Sequence, residues 1–173
     1  MSHSLPLAVN VQAHSTQGSL PSPTLWEQWF QQWLQALQPE LPTAQGYELT
    51  LCLSDNAEIK ALNAQYRQKN QPTDVLAFAS LETPFLKEEI WSSSAEPLYI
   101  GDIIISVEIA QQQAPEHQHS LTQELAWLAV HGLLHLLGWD HPDEEHLEKM
   151  LINQETLLAI SGHKWLLFIC PFV

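Results

Sequence analysis

The sequence predicts an α+β fold, with a small central mixed β-sheet of about four strands, about five helices packed on it, and a metal site at the end of a helix in the C-terminal half. Three observations predict this. Short apolar runs interleave with helix-period runs in the first half, and helix-period runs dominate the second. Capping residues precede most of the helical runs, and Pro or Gly follows several of them. The 173 residues are 45% hydrophobic and 15% charged, which is enough apolar material for one real core.

Leu5–Val11 alternates as a first strand. A helix follows, with Thr24 as its cap and Glu27 completing a capping box. Trp26, Trp29, Phe30, Trp33, Leu34 and Leu37 recur on it at helical spacing, a core stripe rather than a cofactor platform. Pro39 and Pro42 end it. Leu49, Leu51 and Leu53 alternate with Thr50 and Cys52 as a strand. Ser54 or Asp55 opens a second helix through Ile59, Leu62 and Tyr66. Val75–Phe78 and Tyr99–Val107 read as two more strands. The continuously apolar Ile103–Ile105 is expected in a strand covered on both faces. Ser106 caps a short helix that stops near Pro115. Ser120 and Gln123 form a capping box for a helix that runs to Leu137, and Gly138 supplies the left-handed residue after it. Asp143 caps a final helix with an apolar face of Leu147, Met150, Leu151, Leu157 and Leu158, ended by Gly162. Ser15–Pro23 and Glu82–Pro97 read as loops, and neither separates two core-sized halves. One domain over 1–173 is therefore expected.

No apolar run reaches the roughly 20 residues of a spanning helix, and the N-terminus has no basic segment followed by a long apolar one, so neither a membrane protein nor a signal peptide is expected. Cys52 and Cys170 read as reduced thiols of a cytoplasmic protein. The net charge of −14 argues against a general polyanion binder. Its distribution is uneven, however. Residues 60–87 carry Lys60, Arg67, Lys69 and Lys87 against Asp74 and Glu82, a net +2, and the rest of the chain is −16. Such a patch could meet a phosphate backbone, although a solvated helix and its loop are the simpler account.

The informative segment is His131-Gly-Leu-Leu-His135-Leu-Leu-Gly-Trp-Asp-His141. Residues 131 and 135 project from the same helical face. Gly138 lets the chain turn sharply, so that His141 can return to the same point. Three neutral imidazoles around a zinc ion leave a fourth tetrahedral position open, the layout of a catalytic site. Nine histidines produce some four-residue pairs by chance, but the third His and the Gly make this pattern more specific. Metzincin proteases share the spacing and carry a general-base Glu directly after the first His, where this chain has Gly132.

Four blocks complete the pattern: Leu62-Asn-Ala-Gln-Tyr-Arg67, Pro72-Thr-Asp-Val-Leu-Ala-Phe78, Gly101-Asp-Ile103, and His131–His141 with Met150 downstream. In these the chain resembles the YbeY family of bacterial single-domain, metal-dependent endoribonucleases, implicated in ribosomal RNA maturation and ribosome quality control. The resemblance runs from about Leu49 to Gly162, and the N-terminal strand and helix match in pattern only. The tail Trp165–Val173 has no counterpart and is expected to pack back on the domain. Ala77 and Trp139 depart from the family's usual small polar residue and Tyr.

The resemblance implies one zinc ion held by His131, His135 and His141, with Arg67 as the important basic residue beside it. It also implies a single-strand-specific endoribonuclease acting on ribosomal RNA, with the ribosomal subunit or assembly factors as partners and neither DNA nor membrane among them. The chemistry agrees: a metal-activated water held through His131 supplies one candidate nucleophile, an RNA 2′-hydroxyl being the other, and the Arg67 guanidinium matches phosphate geometry. Arg67 could instead pair with Asp74 or cap a helix end. Asp102 interrupts an apolar strand and needs a partner, either a ligand His or a backbone turn. Glu124 could accept from a ligand His, although a solvated surface Glu is simpler. Asp140 shapes its loop, and His146 is structural or exposed. Two other functions compete: a metallopeptidase-like hydrolase on the same ligand frame, which Gly132 disfavours, and a non-catalytic zinc-containing ribosome-assembly factor.

Overall fold

The computed structural model describes residues 6–80 and 96–163. The Glu82–Pro97 loop and the Trp165–Val173 tail therefore fall largely or wholly outside the described residues, as does Cys170. Strand β1 spans Leu7–Ala13, helix α1 Pro23–Ala36, β2 Tyr47–Ser54, α2 Asn56–Arg67, β3 Val75–Ala79, β4 Leu98–Ser106, α3 Val107–Glu116, α4 Leu121–Leu136 and α5 Glu144–Ile160.

Most caps lie where the sequence puts them. The Asp55, Ser106, Ser120 and Asp143 side chains each accept a backbone N–H of the following first turn, and Ser120 with Gln123 completes a capping box. Helix α1 is the exception. Its cap is Ser22, whose Oγ accepts from the Leu25 N–H at 3.2 Å. Pro23 then occupies the first helical position, where its fixed φ suits the helix and its missing N–H costs nothing. The helix thus starts ahead of Thr24, and Glu27 closes no capping box. The helix ends at Ala36, ahead of Pro39, which lies within a 3-10 turn over Gln38–Glu40.

The sheet has the order β1-β2-β4-β3. Strands β1, β2 and β4 run parallel, and β3 pairs antiparallel with β4 at one end. The twofold alternation of side chains gives each face its own cover. On one face Leu49, Leu51, Leu53, Ile103 and Ile105 pack into the main core with the aromatic stripe of α1 and the apolar length of α4. Trp26, Phe30 and Trp33 are fully buried there. On the other face Cys52, Leu76 and Ile104 meet Ile59 of α2. The Ile103–Ile105 run is thus covered on both sides, as its composition predicts.

Glu124 corrects the expectation of a solvated surface residue. It is fully buried, and its carboxylate accepts from His117 Nδ1 at 3.0 Å and His119 Nδ1 at 2.9 Å. Gln118, between the two histidines, takes a left-handed conformation that lets both rings face one carboxylate. The pairing satisfies a group too costly to bury alone. Glu124→Ala, which leaves two imidazoles without their acceptor, is expected to destabilise the fold by about 2 to 4 kcal/mol in denaturant unfolding.

Candidate metal centre

Helix α4 lies along the sheet with most of its length buried, and beyond its first turn, where Glu124 sits, its two histidines are the titratable side chains on an otherwise apolar run. One helical turn separates them, and His131 Nε2 lies 3.0 Å from His135 Nε2. The helix stops at Leu136. Gly138 then takes a φ of +93°, a conformation L side chains rarely adopt, and the chain doubles back. This turn carries the His141 ring to within 5.6 Å of the His131 ring and 5.4 Å of the His135 ring, centroid to centroid. One nitrogen from each ring lies within 4.8 Å of the others. Asp140 Oδ1 accepts the His141 N–H at 2.8 Å, and Trp139 Nε1 donates to Glu40 at 2.8 Å, which ties the turn to the 3-10 segment.

Donor chemistry makes this a fit for a cation. Two imidazole nitrogens 3.0 Å apart face a shared third ring. Burial lowers the pKa of His131, and burial followed by its histidine neighbours lowers that of His135 to about 4. Neutral imidazoles with converging lone pairs are what a divalent metal takes as ligands.

Gln154 was not legible as part of the site. It is fully buried on α5; its Nε2 donates to the Trp127 carbonyl, which leaves Oε1 to accept from His131 Nδ1 at 3.2 Å. That bond places the ring proton on Nδ1 and keeps Nε2 free to bind. A signal existed: Gln154 stands four residues after Met150 and three before Leu157, a polar residue on the apolar face of α5. Gln154→Leu removes the acceptor at similar bulk and is expected to weaken metal binding by roughly 10- to 100-fold in a chelator-competition titration.

Gly132 is explained by packing. A Cβ there would stand 2.7 Å from Ile103 Cγ2 on β4. The position that carries the base in metzincins thus faces the sheet, where a glutamate has no room.

The histidines open onto a cleft of about 620 Å³, lined also by Arg67, Asp74, Val75 and Trp127. Arg67 is the last residue of α2, a helix on the opposite face of the sheet. It reaches the cleft past the end strand and donates through Nη2 to the Ala77 carbonyl of β3 at 3.1 Å. Asp74 is engaged elsewhere: it accepts the Val75 N–H at 2.8 Å and Gln113 Nε2 at 3.3 Å. Asp102 orients no ligand histidine and holds no turn. It accepts the Tyr99 hydroxyl at 2.6 Å and lines a separate cleft on the other face. His146 is exposed and pairs with Asp143.

A family model described as Endoribonuclease YbeY matches residues 10–162, extending well before the Leu49 boundary of the motif resemblance. A protein of Nostoc sp. named Endoribonuclease YbeY is 54% identical over 151 residues, covering 87% of this chain and 81% of its own length. One from Trichormus variabilis is 56% identical over 143 residues, covering 83% and 80%. A solution structure of a Thermotoga maritima protein superposes with a TM-score of 0.53 over 91% of this chain and 97% of that one, at 23% identity, a likeness of fold.

Proposed function

This chain belongs to the Endoribonuclease YbeY family, and we propose that it is a zinc-dependent endoribonuclease that cleaves single-stranded RNA in ribosomal RNA maturation and ribosome quality control. Its partners are then the ribosomal subunit or assembly factors, and its compartment is the cytoplasm. The carrying observation is the convergence of His131, His135 and His141 in a cleft that an arginine also enters. Among the described residues no helix is long and apolar enough to cross a membrane.

Each residue has a part that follows from its chemistry. His131, His135 and His141 hold the ion through neutral nitrogens, and Gln154 fixes the tautomer of the first. Zinc, when bound, supplies a Lewis acid that activates water and neutralises charge on a phosphoryl oxygen. Arg67 binds the substrate phosphate through its guanidinium fork and holds it against the histidines. The chain offers no carboxylate directly after His131, so the metallopeptidase reading loses its base for a structural reason: Gly132 lies against Ile103.

The test compares cleavage of single-stranded and duplex RNA by the wild-type chain and His131→Ala, with metal content measured on the same samples. Cleavage of the single strand, with cleavage and about one equivalent of metal both lost in the variant, is expected. Full metal occupancy with no cleavage in the wild-type chain would favour the assembly-factor reading instead.

A further inference from the structure

On the face of the sheet opposite the three-histidine cleft, three different donors meet. Strand β1 ends at Ala13, and the next residue, His14, stays bonded to β2 through its N–H to the Leu53 carbonyl at 2.9 Å. This holds its ring over Cys52, which points to that face because Leu51 and Leu53 point to the main core. Glu58, in the first turn of α2, reaches back over both. His14 Nδ1 lies 2.9 and 3.1 Å from the two Glu58 oxygens and 3.6 Å from Cys52 Sγ. The Ser54 hydroxyl donates to Glu58 and fixes the carboxylate.

We propose that His14, Cys52 and Glu58 form a second metal site, for a divalent cation of the zinc class. One ring nitrogen faces two carboxylate oxygens and a sulfur. Without a cation, one imidazole proton is shared by the two carboxylate oxygens and Cys52 keeps its own proton, its pKa pushed up to about 11 by burial and by the Glu58 and Asp102 charges; a cation replaces both protons and offsets that negative charge. Ligands about 2.0 to 2.3 Å from a tetrahedral ion stand roughly 3.3 to 3.7 Å from one another; the His–Cys separation already matches, and the His–Glu separation needs a shift of a few tenths of an ångström.

The donor set of imidazole, thiolate and carboxylate suits zinc, whereas magnesium and calcium prefer oxygen alone. Cys52 gives up its proton to solvent as its sulfur binds the ion. The group borders a cleft of about 450 Å³ that also holds Asp102, so a fourth position is open to water and the nearby charge favours a cation. The His117–His119–Glu124 cluster differs: its carboxylate is fully buried and already accepts from both imidazoles.

Cobalt(II) separates the two sites, because only a thiolate ligand gives a sulfur-to-cobalt charge-transfer band in the near ultraviolet. The probe is cobalt(II) added to the full chain carrying Cys170→Ser, so that Cys52 is its one thiol. The expected result is a band that saturates at one equivalent per chain, persists in His135→Ala, and disappears in Cys52→Ser. His14→Ala and Glu58→Gln change side chains that are 47% and 39% exposed, outside the buried apolar face of β2; each should weaken the cobalt affinity read from this band by about tenfold or more. The site would be overturned by no band in the Cys170→Ser chain, by a band that needs His135, or by an affinity unchanged in both His14→Ala and Glu58→Gln.

Discussion

Replacing His135 with alanine is expected to empty the three-histidine cleft of metal and to lower RNA cleavage by about a thousandfold, roughly 4 kcal/mol of barrier. The side chain is one of three converging donors, and its Nε2 faces that of His131 at 3.0 Å. Two imidazoles leave half of a tetrahedral shell to water, and affinity falls accordingly. Metal analysis and single-turnover cleavage on one preparation check this; full occupancy in the variant would remove His135 from the ligand set. The same residue sets a pH dependence in the metal-free chain. Burial holds its folded pKa at about 4 and lowers that of His131, whereas the unfolded chain takes up these protons near 6.5. Between those values the unfolded state binds more protons, so stability is lost as the pH falls from about 6.5 towards 4. Denaturation midpoints of chelator-treated protein should therefore decline over that window, and the decline should be shallower in His135→Ala.

What the sequence made legible is what short-range chemistry decides. Asp55, Ser106, Ser120 and Asp143 cap their helices through the backbone N–H three residues on, so each could be read in place. The Thr24–Glu27 pattern points to a start two residues too late, because a proline at the first helical position, with Ser22 ahead of it, sets the true N-terminus. His131 and His135 share a helical face and were readable from spacing. Glu124 and Gln154 were not, because a polar residue on an apolar helix declares that it needs a partner without saying which. For Glu124 the partners depend on a left-handed Gln118, and for Gln154 the partner lies 23 residues away on another helix. The place of Arg67 required the topology itself. Helix α2 covers the face opposite the histidines, and only because β3 ends the sheet can a side chain from its last turn reach past that strand into the cleft.

That position defines the sharpest test of the proposed chemistry. Arg67 is exposed and donates to one carbonyl of β3, a bond between solvent-accessible groups worth about 1 kcal/mol at most. If the Ala77 contact is its whole role, Arg67→Ala lowers stability slightly and leaves cleavage per folded molecule unchanged. If the guanidinium binds the scissile phosphate, as its place beside the histidines supports, the same change leaves metal content intact and cuts cleavage by about thirtyfold, roughly 2 kcal/mol. The second outcome is expected. Arg67→Lys should recover only part of the loss, because an ammonium keeps the charge but not the two-pronged fork. Melting temperature, metal content and single-turnover cleavage of the two variants separate the roles; cleavage unchanged alongside lowered stability would retire Arg67 from the chemistry. Salt adds an independent check. The window from Lys60 to Lys87 holds four cations on a chain of net charge −14. With about 0.7 counterions released per phosphate contact on a single strand, the log–log slope of RNA affinity against salt should not exceed about 3 in magnitude. Arg67→Ala should reduce that slope by a little under one, the share of a single lost phosphate contact, and a slope unmoved by the substitution would mean that RNA does not touch this residue.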